Sequence, residues 1–192
     1  MLAINKINHL RQGDILWGKN KIGNSPVDLA HYGCLITCIS MMSQFFGCYK
    51  SPAEIASEVK WFNTLGSFIW INSDFDNMSF RWREGTQSSM VKKEVLDMEM
   101  IKSYLAHGDN RPSDYNRAVI LQVNNESHWV LGLWETNGDF KAIDPWSGKD
   151  CDVLSLYKNI TGAALFVKWN KDEHNGKQAW QVLGKPEAPD YF

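Results

Sequence analysis

The chain has 192 residues, of which 44% are hydrophobic and 22% charged, and its formal net charge is −2. That length suits a single domain with a real core, in which roughly two-thirds of the unfolded surface is lost on folding. The near-neutral balance excludes the broad basic face that nucleic acid or an anionic membrane would need, and no apolar run is long enough to span a bilayer. The N-terminal stretch MLAINKINHLRQGD has neither the apolar centre nor the small-residue cleavage site of a secretory leader. The four cysteines, Cys34, Cys38, Cys48 and Cys151, are too sparse and irregular for a disulfide framework. They read as reduced thiols of a protein made in the cytoplasm. A protein carried in a virus particle or released by lysis would look the same.

Residues 1–33 read as an irregular lead-in, interrupted by Gly13, Gly18, Gly23, Asn24 and Pro26. Cys34 to Phe46 reads as a helix that is apolar nearly all round, hence central, and is closed by Gly47. Ser51-Pro52-Ala53-Glu54 has the form of a capping box with Pro at the first helical position, opening a helix that runs to about Lys60. Residues 61–90, rich in Trp and Phe among polar residues, read as an aromatic insertion of short strands or turns flanking a cleft. Val91 to Ala106 has helical spacing at Val95, Met98, Ile101 and Leu105, and a polar loop follows over Asp109 to Asn116. Then come four β-type runs, Ala118–Val123, His128–Trp134, Phe140–Ile143 and Ala163–Trp169, separated by turn signals such as Asn124-Asn125 and Asn137-Gly138-Asp139. Residues 171–192 read as a polar surface tail. The expected class is α+β: a helical N-terminal half, with the Cys-bearing helix at its centre, packed on a C-terminal antiparallel sheet.

The chemistry-bearing residues sit at the ends of these elements. A free thiol has a pKa of about 8.5 and becomes a good nucleophile when a helix N-terminus and a neighbouring imidazole favour the thiolate. Cys34 opens a helix after Gly33, whose missing side chain permits a sharp turn, and the same helix start offers backbone N–H groups to an oxyanion. A lone cysteine is more often a small buried hydrophobe. His128, opening the strand HWVLGLW, strengthens the case, because it can project from the sheet edge towards that helix. Asp144 ends the next strand before Pro145 and can orient the imidazole, although Asp-Pro is also a common turn opener. Cys34 and Cys38, with His31 and Cys48 nearby, have a spacing that metal ligands can use, but Cys38 within LITCISMM fits packing better. Asp74-Phe75-Asp76-Asn77 lacks the Gly and distal Glu of a cation loop. The phosphate, dinucleotide and zinc-protease patterns are missing too, so no metal or cofactor is expected.

Gly33-Cys34 with LITCISMM, then HWVLGLW, then Ala142-Ile143-Asp144-Pro145, resembles the bacteriocin-processing-peptidase-like branch of papain-like cysteine peptidases, in the stand-alone form of bacteria and their phages. Those proteins carry a Gln-x-Asp-x-x-Trp segment before the Gly-Cys, and Gln12-Gly13-Asp14-Ile15-Leu16-Trp17 matches it. The resemblance implies a papain-like fold, a thiolate at Cys34, a general base at His128 and an orienting Asp144. It also implies a side-chain oxyanion donor. In transporter-linked relatives this is a Gln six residues before the Cys, a position held here by Asp28, so Gln12 is the candidate and Asp28 is expected to face elsewhere. The implied substrate is a peptide bond in a protein precursor or in a bacterial cell-wall peptide. The alternative is a catalytically silent papain-like phage structural or binding module, with the aromatic 61–90 segment plugging the cleft.

Overall fold

The computed structural model describes residues 7–85, 96, 99–102, 117–134 and 140–184. The runs Ala118–Val123 and His128–Trp134, nearly continuous in β-branched and large apolar residues, become strands β2 (Arg117–Val123) and β3 (His128–Trp134). They join β1 (Met78–Gly85), β4 (Phe140–Asp144), β5 (Lys149–Asp152) and β6 (Ile160–Lys168) in an antiparallel sheet of order β1-β6-β2-β3-β4-β5. The turn between β2 and β3 places Asn124, Asn125 and Glu126 at φ 52°, 50° and 72°, a left-handed run that suits the two asparagines.

Alternation divides the strands between two faces. Ala118, Ile120, Leu131, Leu133, Ile143, Ala164 and Phe166 share one apolar cluster with α2 (Cys34–Phe45). Val119, Leu121, Val130, Ala142, Ala163 and Leu165 face a second cluster that holds Met100 and Ile101. These two lie in α4 (residues 99–102); the helix expected over Val91–Ala106 does not hold at Leu96, which is outside regular structure, and the rest of that stretch and the polar loop 109–116 lie outside the described residues. On α2, the eight consecutive residues Ile36 to Ser43 are buried, and Gly47 at φ 72° ends its course. The α+β class and the central, buried Cys-bearing helix are thus as expected.

Three local readings change. The helix after Ser51 has the full capping box but stops early: α3 covers Pro52–Ser57 and a 3-10 turn takes Val59–Trp61. The segment read as an insertion supplies the edge strand β1, paired along its length with β6, so the sheet draws on both halves of the chain. Residues 171–184 are also more than a surface tail. Helix α6 (Ala179–Leu183) packs on β1, with Ala179 N–H donating to Ser79 Oγ (3.0 Å) and Trp169 Nε1 to the Lys177 carbonyl (2.7 Å). Its polar sequence disguised this, because one small residue, Ala179, and the buried indole of Trp169 carry the packing. No described helix is long and apolar enough to cross a membrane.

Candidate active site

The lead-in folds back over the end of the sheet. Gln12 N–H donates to the Pro145 carbonyl (2.8 Å), and Arg11 Nε to the Trp146 carbonyl (3.2 Å), tying the segment to the end of β4. Each fixed residue of the Gln-x-Asp-x-x-Trp segment has a physical task. The Asp14 carboxylate accepts from Leu16 N–H (2.9 Å) and shapes the turn, while buried Trp17 donates from Nε1 to the Arg11 carbonyl (2.9 Å) and locks the loop. Gln12 is 2% exposed, and its Nε2 donates to the Ala30 carbonyl (2.8 Å). Among the described residues its Oε1 has no partner.

Ala30 belongs to α1 (Leu29–Tyr32), a single turn capped by Asp28, whose carboxylate accepts from His31 N–H (3.1 Å) and pairs with His31 Nδ1 (2.7 Å). That pairing holds the Asp28 carboxyl below its usual range. Gly33 then joins α1 to α2. Its φ of −86° is open to any residue, so the glycine is required by space rather than by backbone freedom: a Cβ would lie 2.4 Å from the Leu29 carbonyl oxygen. Gly33→Ala is expected to destabilise the fold by about 1–3 kcal/mol and to slow alkylation of Cys34, because the start of α2 must move. Urea denaturation and thiol labelling check this; an unchanged midpoint and labelling rate would contradict it.

Cys34 is the first residue of α2 and half-buried, and no side chain caps this helix. Its first-turn N–H groups therefore face the space beside the thiol. His128 and Asp144 reach that space from the sheet. Leu131 pairs with Ile143 across β3 and β4, so alternation places His128 and Asp144 on one face. His128 Nε2 lies 2.8 Å from Asp144 Oδ1, with side chains 12% and 5% exposed. The remaining ring nitrogen, Nδ1, is left free of Asp144, and His128 and Cys34 border one cavity. Burial disfavours the imidazolium, yet the bond to Asp144 and the influence of the Cys34 side chain outweigh it and lift the His128 pKa to about 9. Burial likewise opposes ionisation of Asp144, but bonds from His128 and from Trp146 N–H (2.9 Å) keep its carboxyl below the usual range. All four residues singled out in the sequence, Gln12, Cys34, His128 and Asp144, thus come together at one end of the sheet.

Other residues of the site carried no sequence signal. Tyr157, at the end of α5 (Val153–Tyr157), places its ring 5.6 Å from the His128 ring and borders the same cavity. Burial and the Asp144 charge raise the phenol pKa, so it stays protonated. Cys34, His31 and Ser127 border two cavities. One, of about 360 Å³, adds Gln12, His128, Trp146 and Tyr157. The other, of about 410 Å³, is walled by Phe62, Phe68, Trp70 and Trp129, so the aromatic segment lines an open space beside the thiol. The other cysteines are differently placed. Cys38 is fully buried with Sγ 3.5 Å from the Trp129 carbonyl, and burial pushes its thiol pKa well up. Burial raises Cys48 too, and lifts Cys151 to about 11. Among the described residues, no group of three or more His, Cys, Asp or Glu could hold a metal ion. Compared with protein-family models, curated proteins and solved structures, the chain matches none of them.

Proposed function

We propose that the chain is a papain-like cysteine peptidase or amidase that hydrolyses a peptide bond through Cys34, His128 and Asp144. The observation that carries this reading is that His128, its Nε2 held 2.8 Å from Asp144, borders the same cavity as Cys34. The Cys34 thiolate attacks the amide carbonyl, forming a carbon–sulfur bond. The resulting oxyanion is met by the Cys34 backbone N–H and by the second N–H of Gln12 Nε2, the first being spent on Ala30. His128, charged at neutral pH, gives its proton to the departing amine as the carbon–nitrogen bond breaks. Neutral again, it takes a proton from water, whose oxygen attacks the thioester; the carbon–sulfur bond breaks, the acid product leaves and the thiolate and imidazolium are restored.

The substrate classes fitting this reading are a protein precursor and a bacterial cell-wall peptide, the latter in keeping with a phage enzyme released by lysis. Wild type and Cys34→Ala should be incubated with purified peptidoglycan and with a peptide library, and the products read by mass spectrometry. Cleavage of either substrate by wild type alone supports the reading. Absence of cleavage in both, or equal cleavage by the variant, refutes it. Gln12→Ala is expected to lower kcat roughly 100-fold with KM nearly unchanged, since the amide serves the transition state rather than the ground state. Steady-state kinetics on a cleaved peptide checks this, and a change confined to KM would contradict it.

A further inference from the structure

The aromatic cavity holds a positive charge that the proposed chemistry does not use. Strand β1 pairs with β6 as Phe80 with Phe166, then shifts register, so that Trp82 meets Leu165 and Arg83 meets Ala164. Phe166 and Ala164 face α2, whereas Leu165 faces the opposite cluster. Strict alternation along β1 would put Arg83 on the face opposite Phe80. The extra residue reverses this and aims Arg83 into the cavity beside Cys34. There its guanidinium carbon lies 5.5 Å from the Trp70 ring centroid and 5.3 Å from that of Trp129. Cation–π contact with two indoles occupies the faces of the group and leaves its in-plane donors. One of these reaches Gln122 Oε1 at 3.4 Å, a long bond. Glu126 borders the same cavity and acts on Arg83 through its field, but among the described residues no carboxylate is in ion-pair contact with the guanidinium.

A half-buried guanidinium with no counter-ion in contact among the described residues carries a desolvation cost that an arriving carboxylate would offset, through a two-pronged bond. We infer that this cavity is a substrate subsite for a residue bearing a carboxylate, with Arg83 as its anchor and the Trp70 and Trp129 rings against the residue's body. The inference rests on the peptidase reading for the placement of substrate at Cys34. Glu126 competes with the substrate for Arg83, which makes it a second lever on the same preference.

The test is a set of quenched fluorescent peptides in which each position carries Glu or Gln in turn. Wild type is expected to cleave the Glu form about tenfold faster at one position. Arg83→Gln should abolish that ratio, Arg83→Lys should retain part of it, and Glu126→Gln should raise it about threefold. Cleavage with no Glu preference at any position overturns the subsite and leaves the peptidase reading standing. Should Arg83→Gln fail to fold, Glu126→Gln decides, an unchanged ratio overturning the subsite. If wild type cleaves nothing, the peptidase reading falls, and anisotropy with fluorescein-labelled Glu and Gln peptides judges the cavity alone. Tighter, Arg83-dependent binding of a Glu peptide upholds it, and equal or undetectable binding overturns it.

Discussion

Replacing Cys34 with alanine is expected to lower kcat/KM by roughly 10⁵-fold while leaving the urea midpoint almost unchanged. The two halves of this expectation have separate causes. Alanine is the best helix former, and Cys34 opens α2 as a half-buried residue at the edge of the core, so little packing is lost. The chemistry, by contrast, has no substitute. Cys34 shares a cavity with His128, whereas Cys38 is sealed in the core and Cys48 and Cys151 are disfavoured as thiolates by burial. Residual activity above a few per cent would mean that another group carries the reaction.

The second large effect is expected at Asp144. Asp144→Ala should cost roughly 10³-fold in kcat/KM, because His128 loses both the acceptor that orients it and the charge that favours its imidazolium. Asp144→Asn keeps an oxygen to accept from Nε2 and should lose less, but it removes the charge. The His128 pKa of about 9 in the wild type should place the alkaline limb of activity there, and the asparagine variant should move that limb downward. Stability follows the same group. Its folded-state pKa is raised above the ordinary value of 6.5, so the stabilisation is complete below about pH 6.5, declines as pH rises, and is lost above about pH 9. Urea melts across this window should show wild type losing on the order of a few kcal/mol that His128→Ala does not lose. An alkaline limb that stays put in Asp144→Asn, or identical pH dependence of stability in wild type and His128→Ala, would contradict the pairing.

The proposed triad was legible because each member sits where an element begins or ends: Cys34 at a helix start, His128 and Asp144 at strand ends. Residue type and position carried the chemistry together. Ser51 and Glu54 were legible for a similar reason, since a capping box is local. Gln12 needed the fold-back, which rests on a backbone bond to Pro145, far away in the chain. Only the motif pointed to it. Tyr157 left no trace, because its neighbour Asp144 is reached through β5 and a short helix with no pattern of its own. Strand β1 was obscured by its buried Ser79 and Glu84 among the apolar residues, and the Arg83 side depends on a register shift that sequence alternation cannot register. The packing of α6 against Ser79 rests on Gln178 and Ala179, polar or small residues that read as a tail.

The most direct test of nucleophilic Cys34 is alkylation, because it needs no substrate. Wild type and His128→Ala are treated with iodoacetamide at about pH 6.5, and the adducts are timed by intact mass and assigned by peptide mapping. The expected result is a single adduct on Cys34, formed at least about tenfold faster in wild type, while Cys38, Cys48 and Cys151 remain unreacted. Labelling spread over other cysteines, or a Cys34 rate indifferent to the loss of His128, would contradict the catalytic pairing at its root.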